Sequence, residues 1–333
     1  MMSRFHRSAL ATALTAAAVL PAAAPAAAAD ADDRRHRVRV STAYELPGDR
    51  VYPEGIAADP RTGVLYAGSF ADGTIYRMSG RDRAAEVFLP AGADGRDTAN
   101  GLEVDPRGRL WVTDSSTGVA VYDVRTRRLL ARFEVPGDGA RFVNDLAITP
   151  DGTAYLTDSL RAVVYRVTPR DLAAARGGRG ALEPSFDLAP VLEPYEPGAY
   201  TLNGIVAGPS GRYLLAVDST GGDLYRLDVA SGAVAKVALH GGDMALADGL
   251  DLRHGRLWAA HNTRDVITRW RVAPGGRAAW LERRVADAEL DAPTTLVRAR
   301  GTLYVVRSQF DEGGPLGPGT PETPFTVAAV RGI

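Results

Sequence analysis

The chain has 333 residues, 45% hydrophobic and 24% charged, with a formal net charge of −1. That balance describes an ordinary globular protein and excludes a polyanion binder held by bulk charge, so nucleic acid is not an expected partner. The absence of cysteine excludes disulfides, thiol nucleophiles, thiolate metal sites and a lipid-modified cysteine, so folding rests on core burial, which about 300 residues can supply.

In chain order, residues 1–29 have a basic start (Arg4, His6, Arg7), an Ala/Leu/Val stretch and a small-residue end at Ala27, Ala28 and Ala29. This is the order of a secretory signal peptide, and Pro21 and Pro25 interrupt an apolar stretch already too short to span a bilayer. A secreted, extracellular protein with no membrane span is therefore expected. Residues 30–37 (DADDRRHR) read as a flexible leader, and residues 38–333 as one domain. Lys236 is the sole lysine among many arginines, a pattern of coding bias rather than chemistry.

From residue 53 onward one hairpin recurs six times: "PEGIAADPRTGVLYAGSF" from Pro53, "ANGLEVDPRGRLWVTDSS" from Ala99, "VNDLAITPDGTAYLTDSL" from Val143, "LNGIVAGPSGRYLLAVDST" from Leu202, "ADGLDLRHGRLWAAHN" from Ala247 and "APTTLVRARGTLYVVRSQ" from Ala292. Each copy is a short apolar run, a Pro/Gly/Asp turn and a second β-rich run. A third run follows ("VAVYDV", "VVYRV", "DLYRLDV", "VITRWRV"), then a fourth ("AEVFLP", "LARFEV", "VAKVAL"). Four strands about every 45 residues is the period of propeller blades. Only the step from the third copy to the fourth is long, and "ARGGRGALEPSF" accounts for it as an insertion. "PRDLAAARGG" is the single stretch of helical composition, cut short by its glycines. The sixth copy runs out of strands, whereas "HRVRVSTAYEL" precedes the first copy without a blade of its own. The prediction is an all-β, six-bladed β-propeller closed by pairing the N- and C-terminal strands, which also removes a sheet edge.

Each copy carries a polar residue where its first strand begins: Glu54, Asn100, Asn144, Asn203, Asp248 and Thr294. Innermost strands line a propeller's channel, so these six should ring one mouth. The second strand returns to the same face, placing Asp114, Asp158, Asp218 and His261 around that ring. Singly, an Asn or Asp there has an ordinary use in bonding nearby backbone N–H groups. Together, two acids and several amides on one rim would be costly to bury unpaired, and oxygen-only donors suit a hard cation. The "DS" pairs are expected to bond between blades, and His261 reads as a proton shuttle or as a satisfied rim histidine. No GxSxG occurs, so a serine-hydrolase site is unsupported. Asp59, Asp105, Asp151 and Asp251 fall near the opposite turns and read as fold residues. Strand alternation points Asp145 away from the face that Asn144 serves.

These motifs, in this order over about residues 45–310, resemble the SMP-30/gluconolactonase/LRE-like family, in the wider set of calcium-dependent phosphotriesterases and lactonases. The resemblance implies a divalent cation held by Glu54, Asn203 and Asp248, with Asn144 as a further ligand or substrate contact. Calcium is the first choice, with magnesium, manganese or zinc as alternatives; zinc is disfavoured by the missing cysteines and scattered histidines. It further implies a metal-dependent hydrolase of a lactone or related ester, with Asp248 catalytic as base or nucleophile. Asn100, Asn144 and His261 are then the expected contacts to a small-molecule substrate. One departure concerns sugar-lactonase members, which carry an Arg two residues before the blade-three Asn: Phe142 stands there, with Arg141 one place further back. Tyr195, Glu196 and Tyr200 are candidates for shaping the pocket. A catalytically silent propeller that binds a ligand or protein is the alternative from another functional class. A monomer is favoured.

Overall fold

The computed structural model describes residues 38–333 except Arg81 and Arg176; the signal-peptide and leader segments lie outside the described residues. Six sheets, each built on antiparallel strands and two of them extended by a parallel one, are arranged as a propeller. Their innermost strands are Pro53–Ala58, Leu102–Val104, Val143–Ile148, Leu202–Ala207, Ala247–Arg253 and Pro293–Ala299. We number the blades 1 to 6 in that order.

Ring closure follows the sequence reading. Arg39–Leu46 pairs antiparallel with Phe325–Arg331, so the first strand of the chain becomes the outer strand of blade 6. The insertion is also where expected. After the inner three strands of blade 3, a helix at Pro169–Ala175 leads to Arg179–Ala181, which adds in parallel to the outer strand of blade 2. A second such strand, Ala238–His240, joins blade 5 in parallel. Both cover sheet edges that would otherwise expose unpaired backbone groups.

The core is a ring of six layers rather than one centre, because each sheet buries both faces against its neighbours. In blade 2, Trp111 packs with blade 3 residues such as Leu146 and Leu156, whereas Leu110 and Val112 pack with Tyr66 and Ile75 of blade 1. Side chains alternate across a strand, so successive residues serve successive layers. Nearly continuous apolar runs such as "LWV" result, unlike the half-polar alternation of a one-sided sheet.

Hydroxyls cross between blades near the channel. Thr113 donates to the Asn144 carbonyl at 2.5 Å and Thr157 to that of Asn203 at 2.8 Å. Ser159 and Ser219 donate to the carbonyls of Leu202 and Ala247, and Thr294 to that of Glu54 at 2.7 Å. In two of the three "DS" pairs the serine hydroxyl reaches the next blade, whereas that of Ser115 bonds Thr98 at 3.1 Å. The aspartates instead hold loops of their own blade: Asp114 accepts from Asp97 N–H at 2.8 Å, and Asp158 from Phe142 N–H at 3.0 Å.

The innermost strands share a second feature. Five of the six shift register just past their first residue: between Pro53 and Ile56, Val143 and Leu146, Leu202 and Ile205, Ala247 and Leu250, and Pro293 and Leu296. Such bulges re-aim side chains. Here they fall on Glu54, Asn144, Asn203, Asp248 and Thr294.

Candidate functional site at the channel mouth

Glu54, Asn144, Asn203 and Asp248 line one cavity of about 280 Å³ at the mouth of the channel. The elements bringing them together are the bulged starts of blades 1, 3, 4 and 5. Glycine follows three of them because the backbones crowd there: a Cβ on Gly55 would lie 1.9 Å from the Asn100 carbonyl oxygen, and one on Gly204 2.2 Å from that of Asp248. Blade 3 differs by carrying Asp145. Its carboxylate accepts from Leu146 N–H at 2.8 Å and from Ile205 N–H of blade 4 at 3.2 Å.

As expected, Asp145 does not share the face that Asn144 serves: Asn144 lines the mouth cavity, while Asp145 lines the channel beneath it, past the bulge in this strand. Burial pushes Asp145 up to about 7, opposed by its two backbone hydrogen bonds. Burial likewise raises Asp248 to about 7, with Asp145 adding to the rise and the amides of Asn262 and Asn203 opposing it. Glu54 is raised well above the ordinary carboxylate value by burial, then by the charges of Asp248 and Asp145. Three acids therefore share one poorly solvated neighbourhood.

The polar atoms of this mouth are not satisfied by one another. Glu54 Oε2, Asn203 Oδ1 and Asn262 Oδ1 are buried without a protein hydrogen-bond partner. Asn144 donates its Nδ2 to Ser159 at 3.1 Å, and Asn262 donates its Nδ2 to Asp248 Oδ2 at 2.9 Å. In both amides the NH₂ is used and the carbonyl oxygen remains. Among the described residues no group of three His, Asp or Glu side chains is placed to hold a metal ion. The donor set is instead two carboxylates with amide oxygens, and its orphaned oxygens fit a hard cation.

Two expected substrate contacts lie elsewhere. His261 is buried behind the wall, with Nδ1 2.9 Å from the Ala245 carbonyl and Nε2 2.8 Å from Thr268 Oγ1. Burial lowers its pKa, so both nitrogens serve the blade as neutral imidazole. Asn100 is fully buried and absent from the cavity lining; its Oδ1 and Nδ2 have no protein partner. Of the three loop candidates, Tyr200 lines the cavity, whereas Tyr195 and Glu196 do not. Tyr195 donates to Asp218 Oδ2 at 2.6 Å.

Sequence reasoning missed Asn262, next to His261 in the repeat, although "AAHN" ends the same second strand that brings other polar groups to this face. It also missed Phe70, Phe310 and Leu316, which stand over the polar floor.

Fold and site together define a six-bladed propeller with an acid–amide mouth. The sequence matches the family model described as "SMP-30/Gluconolactonase/LRE-like region" over residues 52–306. The chain belongs to the SMP-30/gluconolactonase/LRE-like family. No curated protein matches it. Among solved structures it is similar to virginiamycin B lyase from Staphylococcus aureus, at 13% identity and TM-score 0.54, covering 89% of this chain and 99% of that one. It is also similar to the major allergen Mala s 1 of Malassezia sympodialis, at 16% identity and TM-score 0.59, covering 86% and 95%. At such identities the likeness is one of fold.

Proposed function

We propose that this chain is a secreted, metal-dependent hydrolase of a lactone or related ester. The observation carrying the reading is the convergence of Glu54, Asn144, Asn203 and Asp248 on one cavity, with buried oxygens that the protein leaves unpartnered. Glu54 and Asp248 would hold the cation through carboxylate oxygens, and Asn144 and Asn203 through amide oxygens; calcium suits that set best. The bound cation supplies Lewis-acid polarisation of the scissile carbonyl.

The chain's own residues supply the remainder. As general base, Asp248 takes the proton of the attacking water at a carboxylate oxygen and returns it to the leaving alkoxide as the ring C–O bond breaks. As nucleophile, it attacks the carbonyl carbon, the ring C–O bond breaks, and water hydrolyses the resulting acyl-aspartate anhydride, its proton going to the alkoxide as the carboxylate is regenerated. Asn262 fixes the Asp248 carboxylate through its 2.9 Å hydrogen bond. Glu54 balances charge without touching the reacting carbon. Ser159 orients Asn144 by accepting its NH₂, which keeps the amide oxygen facing the cavity.

The test is to purify the protein, measure bound metal, and screen lactones and phosphotriesters with and without chelator. Stoichiometric calcium and chelator-sensitive turnover are expected. A metal-free wild type with no turnover of any of these substrates, and with stability unchanged in Asp248→Ala, would sink the reading in favour of a silent binding propeller; activity that survives Asp248→Ala without metal would sink the metal-dependent mechanism. Export rests on residues 1–29, and sequencing the N-terminus of protein recovered from culture medium should find cleavage after Ala29. No helix among the described residues is long and apolar enough to cross a membrane.

A further inference from the structure

The walls of the mouth cavity differ from its floor. An aromatic arc runs around it: Tyr200 meets Phe142 edge-on at 5.0 Å between ring centroids, Phe142 lies 6.3 Å from Phe70, and Phe70 lies 5.3 Å from Phe310. Leu246 and Leu316 complete the rim. Of the five large hydrophobic residues most exposed among those described, three belong to this rim: Tyr200 at 53%, Leu246 at 40% and Leu316 at 55%. Exposed apolar side chains gathered on one cavity mark a binding surface, whereas scattered ones need no explanation.

What the walls lack is equally specific. Among the described residues no Arg, Lys or His lines the cavity. Two guanidiniums adjoin lining residues in sequence: Arg141 donates to the Gly139 carbonyl at 3.2 Å and Arg264 pairs with Asp243 at 3.9 Å, and neither is part of the lining. Four lining residues carry hydroxyls, Tyr200, Ser219, Thr220 and Thr263; two are already used, Ser219 on the Ala247 carbonyl and Thr220 on that of Tyr200. A polyhydroxylated substrate would lose water at its hydroxyls and find few replacements on these walls. An anionic substrate would meet the buried acids with no side-chain cation to offset them. An apolar body, in contrast, gains from every methylene placed against the arc.

We propose, resting on the hydrolase reading, that the site selects a neutral lactone or ester bearing an alkyl or aryl substituent. The carbonyl sits on the acid–amide floor and the substituent lies along Phe142, Phe70 and Phe310. Sugar lactones and sugar acids are excluded by the same walls. Phe142 is the specificity-determining residue, because its ring joins Tyr200 to Phe70 in the middle of the arc and lines the cavity.

The calcium-loaded, full-length mature protein is the material for the test. Calorimetry compares two hydrolysis-resistant probes, a δ-lactam with a five-carbon side chain and gluconolactam, while turnover of the matching lactones is followed separately. The alkyl lactam should bind at least about tenfold more tightly, and affinity should rise about threefold per added methylene until the arc is filled. Phe142→Arg should narrow the preference severalfold; Phe142 is only half-buried and only its backbone N–H bonds Asp158, so this variant should fold. Leu316→Ser, on an exposed loop residue, should weaken the alkyl lactam alone. Equal affinity, or tighter binding of the polyol, overturns the proposal. Alkyl preference without turnover of any ester would support the ligand class and overturn the hydrolase reading instead.

Discussion

The two halves of the channel handle buried acids in opposite ways. In the mouth, Glu54 and Asp248 face amide oxygens, and no cationic side chain lines their cavity. In the cavity of about 210 Å³ below, Asp251 meets Arg253 at 3.1 Å, and Arg253 also draws down the pKa of Glu103. Two of the lower acids, Asp251 and Glu103, have a countercharge supplied by the fold, while Asp145 has only backbone N–H groups. The upper ones have neutral amides around them, Asn262 donating to Asp248, a set that is stable at neutral pH if a cation from outside completes it. The contrast supports the proposal that the mouth is the functional site.

The sharpest break of that comparison is Asp248→Asn. It keeps the shape and removes the charge, so lactone turnover should fall by about 10³-fold, as for loss of a central electrostatic group. Bound calcium should be lost with it, as measured by equilibrium dialysis. Next in size is metal removal from the wild type. Calcium at about a hundred times its Kd should stabilise the folded state by roughly 2.7 kcal/mol, seen as a rise in unfolding midpoint; Arg253 variants should keep that increment, whereas Glu54→Gln should lose it.

His261→Phe tests whether the histidine belongs to the mouth. With both ring nitrogens bonded inside the blade, the variant should lose about 1–3 kcal/mol in denaturant titration, with kcat/KM changed less than about twofold. A large fall in kcat at unchanged stability would return His261 to the machinery.

Glu103 supplies a pH test of the lower half. Burial raises it to about 8, Arg253 opposes the rise, and Asp145, Asp251 and Asp105 add to it. The folded state therefore holds a proton that the unfolded chain releases near the ordinary carboxylate value. Stability from this group is complete at low pH and is lost as pH rises towards about 8. Glu103→Gln should flatten that part of the stability–pH profile. The smallest effect is expected of Arg253→Gln, about 1 kcal/mol, because half of that side chain is exposed.

The ring of polar positions was legible because the repeat is tandem and its period constant. Glu54, Asn144, Asn203 and Asp248 could be placed at one mouth from spacing and strand direction alone. Asp145 was rightly separated from Asn144, since the two line different cavities, but nothing in "VNDLAI" announces the bulge between them. Four of the other five blades carry Gly55, Gly101, Gly204 or Gly249 at this position, where a Cβ would strike the adjacent backbone or side chain, and blade 6 carries Thr295. Asn100 was equivalent to the candidate ligands by position, yet it is buried outside the cavity lining; His261, at the end of the second strand, bonds Ala245 and Thr268 within its own blade. Asn262 lay one residue beyond the position that the repeat singled out.

The sequence by itself determined the all-β class, the six blades, the terminal strand pairing and the identity of the acids at the mouth. Those properties follow from local patterns repeated six times, and each repeat confirms the others. Tertiary structure alone decided which polar atoms stay unpartnered, which half of the channel receives arginine, and that Phe70, Phe142, Tyr200, Phe310 and Leu316 meet over the site. Those residues come from four different blades, and their meeting depends on loop paths and bulges that no periodicity encodes.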